Sequence, residues 1–217
     1  IYWLGVSDRI ESKLLPHQYE MSTLQVGGLQ GSFLKKVWSV IKLLGAIPSV
    51  IAVIKSKDID IIFTTGGYIA APVILGAKLC RIKVLLHESN AFPGRVTRLL
   101  GRFCDLVALG FPDAIQYLNG CRTSVTGTPV RDVFFRKHSL PSWVPLGEGP
   151  LVVVMGGSQG AIGLNQMVRH TFDCLLKQGC RIVHLTGEKD RESSSWTHPN
   201  LVTKSFTGDI PGLLQHA

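Results

Sequence analysis

The segment Pro150-Leu-Val-Val-Val-Met-Gly-Gly-Ser-Gln-Gly-Ala-Ile-Gly-Leu-Asn165 constrains this chain more than any other. Leu151 to Met155 is short, wholly apolar and rich in valine, the composition of a strand buried on both faces of a parallel sheet. Gly156-Gly157-Ser158-Gln159-Gly160 then turns the chain, and from Leu164 to Gln178 the spacing predicts a helix. A glycine-rich turn between a buried strand and a helix leaves backbone N–H groups unpaired and aimed at one point, at the positive end of the helix dipole. Such a turn can hold a phosphate or pyrophosphate without a basic side chain. Ser158 and Gln159 add side-chain donors, and Asn165, about one turn into the helix, is expected to face the same mouth. The glycine spacing matches neither common nucleotide fingerprint, so a plain turn that merely lets helix and sheet approach stays open.

The same alternation recurs along the chain. Residues 1–6, 60–65, 83–86, 105–109, 181–185 and 201–203 read as further strands, separated by segments with helical spacing. Ser7 or Asp8 is placed to cap the first helix, with Glu11 completing a capping box, and residues 27–31 read as a glycine loop. Strands alternating with helices predict an α/β protein with parallel sheets. Residues 139–149, holding Pro141, Pro145, Gly147 and Gly149 with little periodicity, form the expected linker between a domain at 1–138 and another at 150–217. Two such halves would make a cleft between their strand ends. Ile1 falls inside a strand and Ala217 inside a helical pattern, so an opening βα unit and a closing portion are expected outside these 217 residues.

With 23 Lys and Arg against 15 Asp and Glu, the formal net charge of +8 points to an acidic partner: nucleic acid, a nucleotide or an anionic membrane. No aromatic-and-basic stacking platform accompanies the charge, which counts against nucleic acid. The five cysteines show no CxxC pair and no histidine at metal spacing, so reduced thiols in a cytoplasmic protein are expected, with no metal site. No apolar run is read as long enough, at about 18 residues, for a membrane-spanning helix, and no signal peptide is read.

Three other places carry chemistry. Phe33, Leu34, Val37, Trp38, Ile41 and Leu44 recur at helical spacing beside Lys35, Lys36 and Lys42, the composition of an interfacial membrane contact, or of a helix packed on a sheet with its lysines in water. His87-Glu88-Ser89-Asn90 follows an apolar strand, at the carboxyl edge where doubly wound folds bind ligands, although capping or turn roles are equally open for His87 and Glu88. Gly66-Gly67-Tyr68 makes a second strand–glycine–helix turn, and Arg131, close to Gly127, offers a guanidinium suited to bidentate phosphate contact or to the surface. Arg95, Arg98 and Arg102 form one basic helix face.

Taken in order, Gly27-Gly28-Leu29-Gln30-Gly31, Gly66 to Pro72, His87 to Asn90, Gly127-Thr128-Pro129-Val130-Arg131 and Gly156 to Ala161 with Leu164-Asn165 resemble the MurG family of bacterial N-acetylglucosaminyltransferases, over almost the whole chain. The resemblance implies a GT-B fold, two Rossmann-like domains facing across a cleft, both incomplete here. It implies inverting, metal-independent and cofactor-free transfer of GlcNAc from UDP-GlcNAc to the MurNAc C4 hydroxyl of lipid I, giving lipid II, at the cytoplasmic face of the membrane. It further implies that Asn90 meets the donor sugar and that Arg131 and Ser158 surround the nucleotide. Gln159, Asn165 and the glycines 156, 157 and 160 line that site, Thr207 falls in the uracil-binding segment, and Gly66, Gly67, Tyr68 and Glu88 lie on the acceptor side. The histidine usually proposed as base in the family is expected before Ile1, which leaves Glu88 as the catalytic candidate within these residues. Phe33, Lys35, Lys36, Trp38 and Lys42 are the candidate membrane contact. Ser89 and Thr128 depart from the family pattern, where Gln and Asn are usual.

Overall fold

A computed structural model describes residues 1–6, 19–24, 33–157, 160–190 and 197–217, with backbone only for 33–37. The expected capping box at Ser7 to Glu11, the 27–31 glycine loop, Ser158 and Gln159 lie outside the described residues, as do the side chains of Phe33, Lys35 and Lys36. The chain forms two compact units, Ile1–Pro129 and Val130–Ala217.

In the first unit, β1 (Tyr2–Val6) pairs in parallel with β2 (Glu20–Leu24). The second sheet runs β3 (Ile61–Thr64), β4 (Lys83–Glu88), β5 (Leu106–Leu109) and β6 (Thr123–Val125), in that spatial order and all parallel. Helices α1 (Phe33–Gly45), α2 (Ile47–Ser56), α3 (Ala70–Cys80) and α4 (Arg95–Leu100) make the connections. Val50 and Ile54 of α2, Ile74 of α3, Leu86 of β4 and Val107 and Leu109 of β5 share one buried core. Gly76 lets α3 lie against α2, since a Cβ there would stand 3.0 Å from Val50 Cγ1.

The window Trp38–Ser56 corrects the expectation that no run is long and apolar enough to cross a membrane: over 19 residues its mean hydropathy is 1.6. Only Lys42 and Lys55 interrupt it as charges, too few to offset the Val, Ile and Leu around them. Within the fold Leu43, Val50 and Ile54 bind this window to the core, so its buried stripe has a partner in the protein itself.

In the second unit, β7 (Leu151–Met155), β8 (Arg181–Leu185) and β9 (Leu201–Lys204) form a parallel sheet in sequence order. Alternation along β8 divides its side chains between two cores. Val183 and Leu185 join Val144, Leu151 and Leu213 of α7 (Ile210–His216), while Ile182 joins Phe172 and Leu176 of α6 (Phe172–Lys177). The single helix expected over 164–178 is two, α5 (Ile162–Arg169) and α6. Thr171 explains the break: its backbone N–H and its hydroxyl both donate to Val168 O, at 2.9 and 2.7 Å, closing a tighter turn. Residues 139–149 place Trp143 and Val144 against the second unit's core, and Trp143 Nε1 donates to Asp209 Oδ2 at 2.8 Å. The division between the units falls between Pro129 and Val130 in the chain, upstream of that stretch.

Candidate active site

In the first unit, the carboxyl edge of β4 is organised by Glu88. Its carboxylate is buried and accepts four hydrogen bonds: Asn90 N–H at 3.1 Å and Asn90 Nδ2 at 2.7 Å on Oε1, Gly94 N–H at 2.9 Å and Thr97 Oγ1 at 2.7 Å on Oε2. Four donors fill the lone-pair sites of a carboxylate. Burial pushes the Glu88 pKa up, but the hydrogen bonds from Thr97, Gly94 and Asn90 outweigh it and hold the group below the ordinary carboxylate value. A base needs a free lone pair and a raised pKa. These surroundings suit an anchor rather than the catalytic role expected for Glu88: the residue holds Asn90 and the 88–97 turn, leaving Asn90 exposed at the edge.

His87, also buried, lies next to that anchor. Its Nε2–H donates to Gly127 O at 2.9 Å, and Ser89 Oγ donates to Nδ1 at 3.2 Å. The 127–129 turn is thereby held to the end of β4, and Gly110 makes room for it, a Cβ there falling 2.5 Å from Thr128 Oγ1. Gly66 and Gly67 carry positive φ after β3, with Gly66 N–H donating to Thr64 Oγ1 at 3.3 Å. Tyr68 packs half-buried against the first core. Arg98 lies 4.6 Å from the Phe92 ring centroid and Arg102 5.0 Å from that of Phe103, so the basic face is partly stacked on aromatics.

On α1, Trp38, Val40, Ile41 and Leu44 are exposed, and Lys42 Nζ stands 5.8 Å from the Trp38 ring centroid. This leaves an outward apolar row with a cation beside it.

The second unit holds the glycine turn. Gly156 and Gly160 are required by close approach: a Cβ on Gly156 would stand 2.5 Å from Ala161 Cβ, and one on Gly160 2.3 Å from Thr186 O. Gly160 N–H donates back to Gly157 O at 3.0 Å, so the turn folds on itself before α5 begins. Asn165, expected from its place in the helix to face the mouth, does not. It is wholly buried, and its Nδ2 donates to Thr186 O at 2.8 Å and to Asp190 Oδ2 at 2.6 Å. Its Oδ1 accepts from His184 Nε2 at 3.1 Å. The helix turns this side chain inward onto the end of β8, where the amide braces the glycine turn from beneath.

Thr207 is buried, and its hydroxyl donates to Asp209 Oδ2 at 3.2 Å while accepting from Asp209 N–H at 3.1 Å, a local turn just before α7. Arg131 is exposed, its guanidinium 5.3 Å from the Phe134 ring centroid.

Sequence reading missed Thr97, Arg169, His184 and Asp190. Two of them left a signal. His184 is a polar residue between Val183 and Leu185 inside a strand, and Arg169 stands four residues after Asn165 on one helix face.

Residues 1–109 match the glycosyltransferase family 28 N-terminal domain, and residues 151–217 match the glycosyltransferase family 28 C-terminal domain. A UDP-N-acetylglucosamine–N-acetylmuramyl-(pentapeptide) pyrophosphoryl-undecaprenol N-acetylglucosamine transferase of Prochlorococcus marinus (strain NATL1A) is 58% identical over 221 residues, covering 100% of this chain and 63% of the relative. The chain thus spans less than two thirds of that relative's length. Among solved structures, Acinetobacter baumannii MurG superposes with a TM-score of 0.68 at 26% identity, over 100% of this chain and 62% of the other. The calicheamicin glycosyltransferase CalG4 superposes with a TM-score of 0.65 at 10% identity, over 100% and 66%, a likeness of fold alone.

Proposed function

The chain belongs to glycosyltransferase family 28, and on that premise we propose that it is part of an inverting transferase that moves GlcNAc from UDP-GlcNAc to the MurNAc C4 hydroxyl of lipid I, making lipid II. The observation that carries the reading is the turn after β7, pressed so closely on Ala161 and Thr186 O that Gly156 and Gly160 admit no side chain. Backbone N–H groups held this way, at the start of α5, suit the diphosphate of a sugar nucleotide.

In the proposed reaction the acceptor oxygen attacks the anomeric carbon from the face opposite the leaving group. The bond from that carbon to the β-phosphate oxygen breaks, its electron pair leaves with UDP, and the hydroxyl proton passes to a base. Charge growing on the diphosphate is met by the turn's N–H groups and by the guanidinium of Arg131. Ser158, Gln159, Gly157 and Thr207 complete the proposed nucleotide site, and Asn90, oriented by Glu88, is the proposed sugar contact. Gly66, Gly67 and Tyr68 are assigned to the acceptor. The donor role is proposed for the part after the 139–149 stretch and the acceptor role for residues 1–138.

The lipid-linked acceptor calls for a membrane contact, and we assign it to α1 at the cytoplasmic face, through Trp38, Lys42 and the adjoining Phe33, Lys35 and Lys36. Changing the three lysines to Glu should weaken binding to vesicles of anionic phospholipid; undiminished binding would remove this assignment.

Calorimetry with UDP-GlcNAc tests the donor site. The chain should bind it, and Arg131→Ala should weaken binding tenfold or more, as loss of a charge-assisted pair implies. Equal affinity would take Arg131 out of the site. No binding by the folded chain would overturn the donor reading itself.

A further inference from the structure

Beneath the glycine turn lies a buried polar assembly that the proposed chemistry does not use. Asp190 Oδ2 accepts from both Asn165 Nδ2 and Arg169 Nη2, each at 2.6 Å. The ion pair is almost wholly buried, its side chains 9% and 3% exposed. His184, 1% exposed, stands edge-on to Phe172 with ring centroids 5.4 Å apart and donates to Asn165 Oδ1. Among the described residues no buried side-chain nitrogen or oxygen lacks a hydrogen-bond partner, so this assembly is satisfied throughout.

A buried ion pair is a poor source of stability, because desolvating both charges offsets most of their attraction and apolar residues of equal volume do as well or better. What it does supply here is direction. The His184 N–H fixes which end of the Asn165 amide is oxygen, and the Arg169–Asp190 pair fixes where its nitrogen points. That nitrogen then holds Thr186 O, the atom against which Gly160 is pressed. Thr186 and Gly187 are in turn held to β9 by N–H bonds to Lys204 O and Ser205 O, each 3.0 Å long. The height of the glycine turn is thus set from below, by Asn165 and the groups that orient it.

We propose that His184, Arg169 and Asp190 are positioning residues for the sugar-nucleotide diphosphate. Acting through Asn165 and Thr186 O, they hold the turn after β7 in its binding geometry. The inference rests on the donor-site reading above.

The test separates positioning from mere support. Arg169→Met with Asp190→Asn replaces the buried ions by uncharged groups of similar volume. A purely structural pair predicts a double variant that melts at or above the wild-type temperature and binds UDP equally well. Positioning predicts the same melting but a UDP dissociation constant raised tenfold or more in calorimetry. His184→Gln, which keeps an N–H near the Nε2 position, should bind within about threefold of wild type, whereas His184→Leu should lose affinity like the double variant. UDP affinity unchanged in the folded double variant overturns the proposal. Should that variant not melt cooperatively, the histidine pair decides: equal affinity in the Gln and Leu variants overturns it as well. If the folded wild-type chain takes no UDP, the donor reading fails and this inference falls with it; if the wild type binds and the variants bind alike, only this inference fails.

Discussion

Replacing Glu88 by Gln separates an anchor from a base. The carboxylate serves four donors, and a glutamine side chain offers only one acceptor oxygen. With that oxygen kept toward Asn90, the new amide NH2 faces the Gly94 N–H and the Thr97 hydroxyl. Thr97 can rotate and accept, but the Gly94 N–H cannot, and a stranded buried donor costs about 1–3 kcal/mol. The remaining bonds also lose their ionic partner, which roughly halves each of them. The sum is on the order of 3 kcal/mol, a fall of roughly 1–3 M in the urea midpoint. Acid behaviour adds a second check. Because the folded pKa is depressed, Glu88 stabilises the protein above the unfolded carboxylate value of about 4.3, and that contribution disappears as pH falls through the folded pKa. The Gln variant should lack this part of the acid transition. Thr97→Val, deleting one of the four bonds, should cost about half as much. A Gln variant as stable as wild type, with transfer lowered a hundredfold or more in the enzyme, is the pattern of a lost base. That pattern would refute the reasoning.

Gly160→Ala and Gly157→Ala share the strain of a left-handed residue, about 1–2 kcal/mol, but only the first drives a Cβ to 2.3 Å from Thr186 O. Thermal melting should therefore place Gly160→Ala well below Gly157→Ala, itself about 2–8 °C under wild type. Burial first, then Arg169, lowers the His184 pKa against the opposing pull of Asp190, so the unfolded chain binds the extra proton first as pH falls below about 6.5. Wild-type stability should drop on acidification from there, by at most about 1.4 kcal/mol per pH unit from this group, and His184→Gln should drop less. Burial, then Cys121 and Asp105, pushes the Cys104 thiol up to about 11. In a thiol titration at about pH 8 the exposed Cys174 should react promptly and Cys104 only on unfolding; equal rates would contradict the buried environment.

The strands were legible because parallel strands buried on both faces announce themselves as apolar runs, as in Leu151–Met155 and Leu106–Leu109. The strand Glu20–Leu24 was not, because its sequence Glu-Met-Ser-Thr-Leu holds only two apolar residues, Met21 and Leu24, and lacks such a run. The glycine turns were legible through composition, since few other residues accept their φ angles or close contacts. The directions of Glu88 and Asn165 were not. Each was placed correctly at a strand or helix end, yet what decided its role was a partner outside its own element: Gly94 and Thr97 in the turn and helix that follow for one, His184 and Asp190 for the other. Sequence spacing assigns a face to a residue within its own element, whereas hydrogen-bond satisfaction is settled by tertiary neighbours.

The ion pair between Arg169 and Asp190 also carries a temperature dependence. Hydration of ions grows less favourable with heat, so the cost of keeping two charges out of water falls as temperature rises. The same contact, 2.6 Å long, therefore holds the last turn of α5 to the segment after β8 more firmly in the warm than in the cold. Apolar burial weakens on cooling as well, so the contact and the apolar face on which α7 lies lose hold in the same direction.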